Sequence, residues 1–326
     1  MQLNGWINDP SASAMDPAPS GFPLAPNGHS GTVHPVIDLH SHSTASDGSD
    51  SPAELVTLAA RAGLTALALT DHDTVEGLAE AREAAAQAGV RLVEGCELSC
   101  EVGAATMHLL VYFLSDGPGP LQDRLAGLQA ARADRNRRIV AVLRDHDLDI
   151  TLDEILAEAG GGSVGRPHVA GVLLGKGYVA SIQEAFDVWL AKGKPAYLER
   201  DRLLPAEAIA LAHASGAVAV LAHPTSLGFD AATLEEFVAG LAADGLDGLE
   251  CEYGRYSPDL RAWLRSLAGR LRLAVTGGSD YHGRYKPDIA IGTALGDLNV
   301  PDDLLEALEE RRRSGDGSDA ARQSRR

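Results

Sequence analysis

Val36-Ile37-Asp38-Leu39-His40-Ser41-His42-Ser43-Thr44-Ala45-Ser46-Asp47-Gly48 opens as an apolar run and breaks off into two histidines and an aspartate. Side chains alternate along a strand with a period of two, so His40 and His42 point the same way from its end and are placed to grip one cation. Asp47 follows in a turn rich in Ser and Gly, free to fold back on them. Imidazole together with carboxylate suits zinc, manganese or iron, whereas calcium and magnesium prefer oxygen alone. The stretch predicts a transition-metal site. Two histidines flanking a surface turn would give the same letters, so the pattern gains meaning only by recurring.

It recurs along the chain. Residues 65–70 form a short buried strand that leads into Asp71-His72-Asp73-Thr74, and residues 90–97 form a third strand that finishes in Glu97. A fourth strand over 107–114 carries His108. Residues 217–222 run into His223-Pro224, residues 246–250 end on Glu250, and residues 271–276 lead into Gly277-Gly278-Ser279-Asp280-Tyr281-His282. Helices are predicted between these strands. Ser51-Pro52-Ala53-Glu54 is a capping box with proline at the first helical position, and further helices fit 75–88, 205–215, 232–244, 257–268 and 302–312. Strand and helix in alternation predict an α/β barrel with parallel strands, whose C-terminal ends converge on one face and would gather the scattered ligands there. His29, His34, His146 and His213 lack this placement and receive no role.

The chain has 326 residues, 45% of them hydrophobic, and a formal charge of -18. That acidity argues against capture of long duplex DNA or an anionic membrane, both of which need a cationic face. No apolar run is long enough for a spanning helix. Cys96, Cys100 and Cys251 form no CxxC pair and read as buried fillers in a reducing, cytoplasmic setting. The expected organisation is a proline-rich disordered extension (1–35), a first barrel part (36–116), a helical insertion (117–203), a second barrel part (204–312) and a disordered tail (313–326). The insertion carries Arg124, Arg132, Arg135, Arg137, Arg138 and Arg144 on its first helix, most of them simply solvating a face. Its Gly165-Arg166-Pro167-His168 opens another helix, where backbone amides beside an arginine make a phosphate cradle.

With these motifs in view, Asp38-Leu39-His40-Ser41-His42-Ser43, Ser46-Asp47-Gly48, Thr70-Asp71-His72-Asp73-Thr74, Gly95-Cys96-Glu97-Leu98-Ser99, Ala222-His223-Pro224 and Gly278-Ser279-Asp280-Tyr281-His282, the chain resembles the polymerase-and-histidinol-phosphatase (PHP) superfamily. The branch it resembles contains stand-alone 3',5'-nucleoside bisphosphate phosphatases and 5'-to-3' oligoribonucleases. The resemblance implies a distorted (β/α)7 TIM-like barrel with a helical insertion and a cluster of three divalent metals, commonly manganese, with iron or zinc in relatives. Carried over, it places His40, His42, Glu97 and Asp280 around one metal and Asp47, His72 and His282 around a second. Glu97, His108 and His223 surround the third. Asp38, Asp71 and Asp73 would orient ligand imidazoles from behind, and Glu250 fits either role.

The chemistry implied is hydrolysis of a phosphate ester by metal-bound hydroxide, because no serine or cysteine stands in a recognisable nucleophile motif. His223, or Asp71 or Asp73 beside His72, would pass the proton to the leaving group. Arg135, Arg166 and His168 are the candidates for holding substrate phosphate. The expected substrates are 3',5'-bisphosphonucleotides or mononucleotides, with trimming of short 5'-phosphorylated RNA as a related activity; the sequence leaves an obligate protein partner open. The alternatives are a histidinol-phosphate phosphatase and a non-catalytic metal-binding regulatory module.

Overall fold

The computed structural model describes residues 36–103, 105–115, 117–159, 164–199 and 202–323. The expected N-terminal extension and the last three residues lie outside the described residues. In chain order the elements are β1 (Ile37–Asp38), α1 (Pro52–Arg61), β2 (Ala66–Leu69), α2 (Leu78–Ala88), β3 (Arg91–Val102), β4 (Ala105–Tyr112), α3 (Pro120–Asp145), α4 (Leu152–Ala159), α5 (Arg166–Gly175), α6 (Ile182–Ala185), α7 (Pro205–Ala214), β5 (Val218–Leu221), α8 (Ala231–Ala243), β6 (Gly248–Tyr253), α9 (Pro258–Leu271), β7 (Ala274–Gly278) and α10 (Asp303–Gln323). They fall into two compact units, one formed by Gln122–Arg202 and the other by the rest of the described chain.

In the larger unit the seven strands pair in chain order. Just beyond β1, Leu39 donates to the Gly277 carbonyl (3.1 Å), Asp280 to that of His40 (2.9 Å) and His42 to that of Tyr281 (2.9 Å). The first and last strands are thus stitched together and the sheet is nearly closed into a distorted barrel. Strand β2 shows why such a short apolar run suffices. Ala66 and Ala68 join one buried cluster with Leu110, Tyr112 and Val220, while Leu67 and Leu69 turn the other way, under Leu55 and Ala59 of α1 and Leu78 and Ala81 of α2. Both faces are apolar, as a helix-covered strand requires. The capping box at Ser51 forms: its hydroxyl accepts from the Glu54 N–H, and the Glu54 carboxylate accepts from the Ser51 N–H.

Four expectations change. The barrel is mixed rather than wholly parallel, because β4 runs antiparallel to both β3 and β5. Strand β3 does not stop at Glu97 either; it continues to Val102 and turns at Gly103, which has a φ of 58°. Ser99 and His108 are partners in the resulting hairpin. A hairpin reverses direction without a crossover helix, and an alternation of strand and helix gives no sign of that. At the C-terminus α10 runs past Arg312 to Gln323, and α2 starts at Leu78 after a turn instead of at Val75.

The smaller unit is helical. Ile139 and Leu143 of α3, Ile155 of α4 and Val169 and Leu173 of α5 close its core with Leu190.

Candidate metal centre

Every element of the larger unit that was expected to supply a ligand delivers it to one place, and Glu97 lies at its middle. The Oε2 of Glu97 is 3.2 Å from His40 Nε2, 3.1 Å from His42 Nε2 and 3.2 Å from His72 Nδ1. Its Oε1 is 3.1 Å from His108 Nδ1 and 3.0 Å from His223 Nε2. Five imidazoles therefore face one fully buried carboxylate. Asp280 Oδ1 stands 3.4 Å from His42 Nε2 and from His282 Nδ1, and 3.6 Å from His40 Nε2. Asp47 closes the outer side: its carboxylate is 3.3 Å from His282 Nε2, 3.6 Å from His42 Nδ1 and 3.7 Å from His72 Nε2.

The donor set fits divalent cations. Both ring nitrogens of His42 and Nδ1 of His72 are buried with no hydrogen bond of acceptable geometry, although carboxylate oxygens stand close to them. His108 Nδ1 and His223 Nε2, two ring nitrogens, face each other at 3.3 Å. Ring nitrogens and carboxylate oxygens turned toward one another in this way form the kind of donor set that divalent cations take. Three groups of side chains offer ligand atoms within 4.8 Å of one another: His42, Asp47, His72 and His282; His40, His42 and Glu97; and His72, Glu97 and His108. These groups share His42, His72 and Glu97, so the site is one continuous cluster.

Charge follows from this crowding. Burial alone would hold His40 down, yet the carboxylates of Glu250, Glu97 and Asp280 lift it well above the ordinary histidine value. For His42 burial again pulls down, and Asp280, Glu97 and Asp47 outweigh it, to about 9. His72 goes the other way: burial prevails over Glu97 and Asp47, and it is lowered to about 4. Burial would raise Glu97, but His72, His40 and His108 draw it well below the usual carboxylate range. A metal ion bound here would have to displace the protons that His40 and His42 hold.

The carboxylates behind the ligands have distinct tasks. Glu250 Oε1 binds His40 Nδ1 at 2.9 Å and its Oε2 accepts from the His223 backbone N–H at 2.7 Å, so Glu250 orients ligands and both its oxygens are engaged. Asp38 accepts from Ser279 N and Oγ and from the Gly292 N–H, and touches no ring. Asp71 accepts from Ser43 N and Oγ and from Ser46 Oγ, and Asp73 from the Ser99 N–H. Through these contacts Asp71 and Asp73 brace the Ser43–Ser46 turn and the β3 backbone. The hydroxyl partners of Asp71 lie 25 to 28 positions away in the sequence, out of reach of local pattern.

The remaining substrate candidates belong to the smaller unit. Arg166 Nη1 donates to the Leu190 carbonyl at 3.0 Å and its guanidinium lies over the Tyr197 ring. His168 Nδ1 accepts from the Gly165 N–H at 3.0 Å, capping α5, and Arg135 is largely buried. The three cysteines are free and buried. Sequence reasoning missed three neighbours of the ligands. Tyr253 Oη and Lys286 Nζ both contact Asp280 Oδ2, at 2.7 and 2.6 Å, and Ser226 Oγ is 3.0 Å from His223 Nδ1. Ser226 sits one turn after His223 on a 3-10 helix, Pro224–Leu227. It holds the ring's orientation while the opposite nitrogen faces Glu97 and His108.

Comparison with known proteins agrees with this chemistry. The family model for the PHP domain matches residues 38–167. The 5'-3' exoribonuclease Rnm of Salmonella typhimurium is 34% identical over 262 residues, 80% of this chain and 89% of that one. The 3',5'-nucleoside bisphosphate phosphatase of Chromobacterium violaceum is 31% identical over 247 residues, 76% of this chain and 87% of its own. A solved structure from Bifidobacterium adolescentis, provisionally named a metal-dependent phosphoesterase, superposes with a TM-score of 0.65 at 32% identity, covering 84% of this chain and 96% of that one.

Proposed function

The chain belongs to the PHP domain family, and from that premise we propose that it is a metal-dependent phosphoesterase that hydrolyses phosphate esters of nucleotides, 3',5'-bisphosphonucleotides or short 5'-phosphorylated RNA, with manganese as its metal. The observation that carries this reading is Glu97 with five imidazole nitrogens within 3.2 Å of its oxygens. The ligand groups allotted by resemblance are supported by the three overlapping clusters, with His42 and His72 each belonging to two. Divalent cations held there would acidify a water, neutralise phosphoryl oxygens and stabilise the leaving oxygen.

The protein's own part is placement. Glu250 fixes the ring of His40, and Ser226 that of His223. Asp47 is the most open of the carboxylates, with its side chain 44% exposed against 1% for Glu97. Substrate would approach from that side. His223 remains the proposed proton carrier, since it stands at the edge of the cluster with its ring steadied by Ser226. A covalent route through cysteine is disfavoured: burial pushes the thiols of Cys96, Cys100 and Cys251 up. Arg135, Arg166 and His168 remain proposed phosphate contacts on the strength of their chemistry. The buried free cysteines support a reducing, cytoplasmic setting. Among the described residues, no helix is long and apolar enough to cross a membrane.

Phosphate release is the test, with 3',5'-bisphosphoadenosine, short 5'-phosphorylated RNA and histidinol phosphate supplied to the manganese-loaded chain. Release from either nucleotide substrate, lost on chelation and regained with manganese, is expected. Turnover confined to histidinol phosphate would move the assignment to that phosphatase, and inactivity on every ester with metal bound would leave a metal-binding module.

A further inference from the structure

Asp280 divides its two oxygens. Oδ1 faces the rings of His40, His42 and His282, while Oδ2 is held from behind by Tyr253 Oη at 2.7 Å and Lys286 Nζ at 2.6 Å. A buried carboxylate with only one oxygen held is free to swing about its terminal bond and offer both oxygens to a cation. Here the rear oxygen has a neutral donor and a cationic one. The backbone is fixed as well: Asp280 has a φ of 57°, left-handed for a residue with a Cβ, and its N–H is tied to the His40 carbonyl. Tyr253 is anchored on its other side, with its ring 5.5 Å from that of His223 and 4.8 Å from that of Tyr256, whose hydroxyl meets Thr225 beside His223. Lys286 arrives from the turn that follows His282.

We propose that Tyr253 and Lys286 are positioning residues, a two-donor clamp that makes Asp280 a one-oxygen ligand and so sets the affinity and coordination of the cation it touches. The inference rests on the metal-dependent reading above. Lys286 poses the sharper question, since its ammonium also repels a cation. Were its charge the main effect, removing it would tighten metal binding; as a clamp, removing it loosens binding. Partners that orient a ligand from behind are typically worth about 10- to 100-fold in metal affinity.

The test is a manganese titration of the metal-free full chain by calorimetry, with wild type, Tyr253→Phe, Lys286→Met and the double variant, each checked for folding by thermal unfolding. Lys286→Gln replaces Lys286→Met if the latter unfolds. One manganese equivalent should weaken about 10-fold in each single variant and about 100-fold in the double variant, with the other equivalents weakened less. The visible spectrum of the cobalt-loaded double variant should change intensity, because a freed carboxylate alters the coordination number. The clamp is overturned if all three variants titrate like wild type, or if Lys286→Met tightens binding while Tyr253→Phe leaves it unchanged. A wild-type chain that takes up no manganese would overturn the metal-dependent reading and the clamp together; variants that titrate like a manganese-binding, phosphate-releasing wild type would overturn the clamp alone.

Discussion

His42 shows how a single side chain records the site's purpose. Both its nitrogens are buried without a well-formed hydrogen bond, yet nearby carboxylates outweigh burial and lift its pKa from 6.5 to about 9. Stability gained from protonating it is therefore fully present below about pH 6.5 and lost as pH rises through about 9. His72 is lowered to about 4, so its contribution is present above about 6.5 and lost as pH falls toward 4. The metal-free chain should thus melt highest near pH 6.5 and lower on either side. With manganese bound the decline toward pH 9 should disappear, because the cation takes the proton's place. Metal affinity should climb between pH 6.5 and 9 with protons released, which calorimetry in two buffers of different ionisation heat will detect. A flat affinity with buffer-independent heats would refute this proton-for-metal exchange.

Among the elements, strand ends do most of the positioning. His223 and Asp280 follow β5 and β7 with φ of 23° and 57°, and Asp73, with φ of 52°, follows β2. Such backbone costs about 1–3 kcal/mol per residue and persists only where surrounding contacts hold it. Close approach of strands is the other device. A Cβ on Gly278 would overlap the backbone nitrogen and Cβ of His40. Gly278→Ala should therefore destabilise the chain by about 1–3 kcal/mol and, by displacing His40, lower its manganese content; a denaturant melt and a metal analysis on the same sample check both. Much of this level was legible in the sequence. The period-two placement of His40 and His42, the capping box at Ser51 and the polar residue after each short apolar run all follow from local pattern. The direction of β4 was read only from the alternation of strand and helix, although residues 98–106 between the two expected strands are too few for a crossover helix and so favour a hairpin. Tyr253, Ser226 and Lys286 were missed because each acts through a contact with a ligand, and a tyrosine or lysine carries no spacing rule that marks it.

At the scale of the whole molecule, acidity and metal chemistry belong together. A chain with a formal charge of -18 repels polyanions at long range, so affinity for phosphate must be created locally, by cations held among carboxylates and by donors close to them. The larger unit concentrates that effort on one buried oxygen pair, and loops from both ends of the sheet supply the rest. The smaller unit has its own packed core, and the arginine-bearing start of α5 belongs to it. Because five imidazoles face Glu97 and two of them, His42 and His72, also belong to the Asp47 group, the account predicts that metals are bound as a linked set and that the set depends on this carboxylate. The direct measurement is metal content per chain by elemental analysis after manganese loading, for wild type and Glu97→Gln, alongside phosphate release. About three equivalents are expected for wild type, and Glu97→Gln should lose more than one of them with at least about 10³-fold of its turnover, roughly 4 kcal/mol of transition-state stabilisation. A folded Glu97→Gln chain that keeps the wild-type metal complement and turnover would contradict the account.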